Sequence, residues 1–105
     1  MLKHVSFVTA RPDEVVAFYA KLGGRLVKDA THADGLRRLV IEFSGGGKLQ
    51  FFVGDAPQVG SWKEHIAVRV PNLRELADEV RPSPSGNEIA FIQDPDGRYV
   101  ELLHS

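Results

Sequence analysis

The sequence predicts an α+β fold made of two tandem copies of one strand-helix-strands unit, the second copy abbreviated. Three observations carry this. Glu64-His65-Ile66-Ala67-Val68 repeats the order of Lys3-His4-Val5-Ser6-Phe7: a charge, a histidine, then alternating apolar positions. A helix-forming stretch follows each of the two. Each copy then closes on a strand with a polar residue among apolar neighbours, Leu49-Gln50-Phe51-Phe52 in the first and Tyr99-Val100-Glu101-Leu102-Leu103 in the second.

The first copy opens on a strand over Leu2 to Thr9, with Val5 and Phe7 turned toward a helix layer. Arg11-Pro12-Asp13-Glu14 starts the helix: Pro12 suits its first position, and the two acids lie at the positive end of the dipole. Val15, Phe18 and Leu22 form its apolar stripe, and Gly23-Gly24 ends it. Arg25-Leu26-Val27 makes a short strand, followed by a polar loop around His32 and Gly35. Leu36 to Phe43 is the next strand, Ser44 to Gly47 a loose hairpin, and Lys48 to Val53 the last.

Residues 54 to 63 are low in apolar content apart from Val59 and Trp62, and read as a connection. The second copy begins at Glu64. Asn72 with Glu75 three residues on marks a helix start, and Leu73, Leu76, Ala77 and Val80 make one stripe. Arg81 to Asn87, with two prolines and a glycine, is too short and broken for much of a third strand. Asp94-Pro95-Asp96-Gly97 is turn chemistry between Glu88–Ile92 and Arg98–Leu103: Pro95 presets one backbone angle and Gly97 tolerates positive φ. Past that turn Val100 and Leu102 point to one face, while Tyr99, Glu101 and Leu103 point to the other.

With 105 residues, 43% of them apolar, the chain forms one domain, its first unit spanning about 1–53 and its second about 64–105. Thirteen basic and fourteen acidic side chains leave a net charge of −1, so there is no electrostatic footprint for nucleic acid or an anionic membrane surface. The absence of cysteine excludes thiolate metal sites and a cysteine nucleophile, so any metal is held by nitrogen and oxygen. The first residues show no apolar run after a basic patch and nowhere do eighteen apolar residues follow one another, so the expected location is cytoplasmic.

Superposing the copies places His4 with His65, each followed by an apolar residue, and Gln50 with Glu101, each between two apolar residues. If the two sheets curve toward each other, two imidazoles, an amide oxygen and a carboxylate converge, a donor set that suits one divalent first-row ion with positions left open for substrate. Taken singly, His4 and His65 read as partly solvated strand histidines, and Glu101 as a partner for Arg98 or Lys48. The matched places in two copies favour the ligand reading. His32 and His104 read as solvated and Tyr99 as a packing aromatic. Trp62 suits a cavity entrance, an interface or a core edge.

From Lys3-His4-Val5 through Phe18-Tyr19 and Leu22-Gly23-Gly24 to Asp94-Pro95-Asp96-Gly97 and Glu101, the chain resembles the vicinal oxygen chelate superfamily. That superfamily includes glyoxalase I, methylmalonyl-CoA epimerase, extradiol dioxygenases, and the fosfomycin and bleomycin resistance proteins. The resemblance implies two βαβββ units forming a curved mixed sheet around a cavity, with one ligand from each of four strands: His4, Gln50, His65 and Glu101. The ion would be Zn, Ni, Co, Mn or Fe. The set is most similar to that of the epimerase branch, whereas bacterial glyoxalase I usually has a glutamate where Gln50 stands. Dioxygenases lack a ligand on one of the four strands, so Gln50 stays open as ligand or bystander. Epimerases add a catalytic glutamate on the strand before the glutamine, and Glu42 is the only carboxylate available there.

Two function classes follow. In one, the protein is a metal-dependent, glyoxalase-like lyase or isomerase that moves a proton next to a carbonyl of a small anionic substrate, with Glu101 or Glu42 as base. In the other it is a metal-free binder that sequesters a small molecule, as in the bleomycin resistance branch. The resemblance also implies a homodimer, because open sheet edges need cover.

Overall fold

Two four-stranded mixed sheets divide the chain. The computed structural model describes residues 1–104, as one unit over Met1–Gln58 and another from Val59 onward. The first unit runs β1 (Val5–Thr9), α1 (Pro12–Lys21), β2 (Gly24–Thr31), β3 (Arg37–Phe43) and β4 (Lys48–Val53). The second runs β5 (His65–Val70), α2 (Leu73–Leu76), β6 (Arg81–Pro82), β7 (Glu88–Gln93) and β8 (Tyr99–His104). The sheets have the orders β1-β4-β3-β2 and β5-β8-β7-β6, and in each the opening strand pairs parallel with the closing one. The α+β class, the duplicated βαβββ unit and the abbreviated second copy are as the sequence predicts.

In the first unit, α1 begins at Pro12 with Asp13 and Glu14 in its first turn. The residue at its N-cap position, Arg11, contributes no side-chain cap; its backbone N–H instead donates to the buried Thr9 Oγ1 at 3.0 Å. The buried stripe is Val15, Tyr19 and Leu22 rather than Val15, Phe18 and Leu22. Both spacings fit a helix, and Tyr19 takes the central place, with its ring 5.6 Å from that of Phe51 while Phe18 packs edge-on against it. Leu39, Ile41, Leu49 and Phe51 supply the sheet side of this core. Gly23 ends α1 at φ +91°, and at Gly24 a Cβ would lie 2.7 Å from Ile41 Cγ2 and 2.9 Å from the Tyr19 carbonyl. Only glycine fits where β2 passes so close to the helix end.

β2 is longer than the three residues expected, because Lys28 and Asp29, loop-like in sequence, are tolerated on an edge strand. Its register slips between Leu26 and Lys28: Leu26 opposes Ile41, and Lys28 opposes Val40. Asp29 is held by Arg37 through two hydrogen bonds of 3.0 and 2.9 Å. The Arg37 guanidinium keeps the Asp29 carboxyl below its ordinary range, and Asp29 in turn raises Arg37.

In the second unit the expected stripe through Val80 does not form. The helix is four residues long, and Ala77 is already extended at φ −135°, ψ 139°. Asn72 makes no side-chain cap. The chain has only residues 77–80 with which to reach the β6 pairing of Arg81 with Ile89 and Pro82 with Glu88, and the residue before a proline is driven out of the helical region. Arg74 of α2 pairs with Glu88 of β7. Val70, Leu73, Ala90, Val100 and Leu102 are buried and form the core. Between β7 and β8, Gly97 takes φ +90°, and Asp94 Oδ1 accepts from the backbone N–H groups of Asp96 and Arg98 at 2.9 and 3.0 Å. Asp94 Oδ2 meets Arg98 Nη1 at 2.6 Å, with Asp96 a further 3.7 Å partner, and all three side chains are almost fully buried. The turn is an ionic knot, so Arg98 is not available to Glu101.

Candidate functional site

The repeat is exact in register. Val5 opposes Leu49 and Ser6 opposes Gln50 in the first unit; Ile66 opposes Val100 and Ala67 opposes Glu101 in the second. Gln50 and Glu101 therefore hold equivalent places on equivalent closing strands. His65 opens β5, whereas His4 stands one residue before β1 and is exposed.

In the second unit, strand alternation places His65, Phe91, Tyr99 and Glu101 on the face opposite Val100 and Leu102. His65 Nε2 and Glu101 Oε1 are 3.6 Å apart, with side chains 24% and 20% exposed. His65 Nδ1 lies 2.7 Å from the Trp62 carbonyl oxygen. A carbonyl can only accept, so Nδ1 carries the proton, and in the neutral ring the lone pair belongs to Nε2, on the side of Glu101. Phe91 packs edge-on against the imidazole, centroids 5.0 Å apart, and Trp62 packs edge-on against Phe91. Sequence reasoning found both site residues here but not the Trp62 carbonyl that orients one of them; a backbone acceptor three residues before His65 leaves no trace in residue types.

In the first unit Arg38, Val40 and Glu42 share the face opposite Leu39 and Ile41, as alternation predicts, and Gln50 lies on that same face. Gln50 is buried, and both ends of its amide are engaged. Its Nε2 donates to Ser6 Oγ at 2.8 Å, and its Oε1 accepts from Arg38 Nη1 at 2.9 Å. Glu42 lies between Lys48 at 3.5 Å and Arg25 at 3.8 Å, so Lys48, like Arg98, is committed to a partner other than Glu101. Arg38 is the residue that the sequence placed on this face without giving it a role.

A metal ion can be tested against these groups unit by unit. His65 and Glu101 fit one: a nitrogen and an oxygen donor stand side by side, and the far ring nitrogen is fixed by a carbonyl, the usual outer-shell arrangement of a histidine ligand. Gln50 fits less well, because its oxygen already accepts from the Arg38 guanidinium. Among the described residues, neither unit by itself gathers three or more His, Asp or Glu side chains into a cluster that could hold an ion. Among the described residues, no helix is long and apolar enough to cross a membrane.

No protein-family model and no curated protein matches the chain. Solved structures do. A glyoxalase family protein from Enterococcus faecalis matches with a TM-score of 0.76 at 21% identity, over 98% of this chain and 96% of that one. The fosfomycin resistance protein FosX from Listeria monocytogenes, as a mutant complexed with Mn(II) and dihydroxypropylphosphonic acid, matches with 0.76 at 16% identity, over 98% and 90%. A bleomycin-binding protein complexed with bleomycin matches with 0.65 at 18% identity, over 100% and 98%. The duplicated βαβββ architecture of this chain is thus the fold of these glyoxalase, fosfomycin-resistance and bleomycin-binding structures.

Proposed function

We propose that the protein is a metal-dependent, glyoxalase-like lyase or isomerase for a small anionic substrate with two neighbouring oxygens, using His4, Gln50, His65 and Glu101 as ligands. The observation that carries this reading is the His65–Glu101 pair, 3.6 Å apart, with the imidazole tautomer set by the Trp62 carbonyl. A bound divalent ion would supply Lewis-acid stabilisation of negative charge developing on a substrate oxygen. The chain's own residues do the rest: Glu101 carries the proton, Phe91 and Trp62 exclude water from one side of the imidazole, and Glu42 holds Lys48 and Arg25 on the first unit's face. Two neutral imidazoles, one amide and one carboxylate around a divalent ion leave a net charge near +1, which accepts an anion. The protomer works as a homodimer, with apolar Leu26 and Val27 of the edge strand β2 exposed and in need of cover.

Metal analysis of untagged protein tests the reading. About one divalent ion per chain is expected, lost in the His65→Ala/Glu101→Ala double variant; full occupancy in that variant would overturn the ligand assignment. A second reading, metal-free sequestration of a small molecule, is favoured by one observation: the Gln50 oxygen is already taken by a guanidinium. No ion in the wild-type protein, together with tight binding of a small molecule, would establish that reading instead.

A further inference from the structure

Beside Gln50, on the first unit's polar face, lies a depression of about 260 Å³ lined by Lys3, His4, Lys28, Arg38, Lys48 and Gln50. Four of the chain's thirteen basic side chains line it and no acidic one does; Lys48 is paired with Glu42 at 3.5 Å, which leaves Lys3, Lys28 and Arg38 as the excess, in a protein whose net charge is −1. The positive field is therefore local and placed. The register slip in β2 helps to place it: with unbroken alternation Lys28 would share the face of Leu26, but the extra residue sets it opposite Val40, on the face of Arg38 and Gln50.

Arg38 is the centre of this arrangement. Its Nη1 donates to Gln50 Oε1, while its Nε–H is buried and makes no hydrogen bond. A buried donor without an acceptor costs about 1–3 kcal/mol, so any turn of the side chain that finds an acceptor is favoured. The acceptor this depression lacks is an oxyanion, which a guanidinium fork grips through two parallel N–H groups.

We propose that the depression seats the anionic group of the ligand, a carboxylate, phosphate or phosphonate, with Arg38 as anchor and Lys28 and Lys48 around it. This rests on the reading of the first unit's polar face as ligand-facing, but its donors are not those proposed for the ion. Anion capture draws Arg38 off Gln50 and so frees the Gln50 carbonyl oxygen.

The test is titration of the full chain, stripped of metal with EDTA, with methylphosphonate, inorganic phosphate and acetate separately, followed by amide chemical shifts. Saturable binding of at least one anion is expected, with shifts at Lys28, Arg38 and Gln50, weakening with added salt. The order of the three affinities identifies the group. Arg38→Gln should weaken binding about tenfold or more, and Arg38→Lys should restore only part of it. No saturation by about 50 mM anion, or equal affinity in Arg38→Gln, would overturn the proposal. Should Arg38→Gln fail to fold, the Lys28→Gln/Lys48→Gln double variant decides on the same terms: a loss of affinity of about tenfold supports the seat, and unchanged affinity overturns it. Because no metal is present, the outcome is independent of whether His65 and Glu101 bind one.

Discussion

Arg38 donates to the one oxygen that Gln50 could offer a metal ion, at 2.9 Å. A guanidinium and a divalent cation on the two lone pairs of one oxygen repel each other, so the two compete. Arg38→Met is therefore expected to tighten divalent-ion binding severalfold, measured by competition with a chromophoric chelator. Unchanged or weaker binding would refute the competition between Arg38 and the ion.

The turn that delivers β8 is held by buried charge. Asp94 Oδ2 and Arg98 Nη1 are 2.6 Å apart, with side chains 0% and 4% exposed. Removing Asp94 takes the nearest carboxylate from the buried Arg98 and leaves Asp96 at 3.7 Å as a partial partner. Asp94→Ala should therefore destabilise by about 3 kcal/mol in urea unfolding, the low end for a broken buried pair. Asp94→Asn retains an acceptor for the two backbone N–H groups and should cost less. Equal stability of Asp94→Ala and the wild-type protein would refute the account of the turn.

At Gly24 the limit is space rather than charge. A methyl group there would press on Ile41 and on the Tyr19 carbonyl, so Gly24→Ala should cost about 1–3 kcal/mol. Gly45, where an added Cβ meets nothing, serves as the control: Gly45→Ala should change thermal stability little.

The pair Asp29–Arg37 gives a pH dependence of definite sign. Its hydrogen bonds lower the folded-state pKa of Asp29 below the unfolded value, so the stabilisation is complete above that unfolded value, about 3.9, and is lost as pH falls through the folded one. The melting temperature of Arg37→Met should lie below that of the wild-type protein at neutral pH, and the gap should close in acid. A gap that widens in acid would contradict the assignment.

Much of this was legible because the β period is strict. With Val100 and Leu102 in the core, Glu101 has to face the other way, and the same alternation groups Arg38, Val40 and Glu42 on one face of their strand. That this is also the face of Gln50 comes from the pairing of Val40 with Gln50. Duplication made the register visible, since Ser6–Gln50 and Ala67–Glu101 are equivalent pairs. What was not legible depends on tertiary context. Phe18 and Tyr19 are adjacent apolar residues at helix-compatible spacing, and only the position of Phe51 selects Tyr19. The stripe from Leu73 to Val80 is a valid helical pattern overruled by the demand of the β6 pairing on a short segment. The partners of the site residues, Arg38 on Gln50 and the Trp62 carbonyl on His65, arise from side-chain direction and backbone position, which residue spacing does not encode.

The slip at Val27 divides β2 into two stretches that meet different physical limits. Gly24 is confined by Ile41 and Tyr19, so the strand's first residue cannot vary without disturbing the packed interior. Past the slip, from Lys28 onward, the strand has changed phase, lies at the sheet's edge and is largely exposed. Substitutions there alter the charge presented beside Arg38 and Gln50 while leaving every core residue in place. On the anion-seat proposal, ligand preference can accordingly diversify through a few positions of one strand, at little cost to folding.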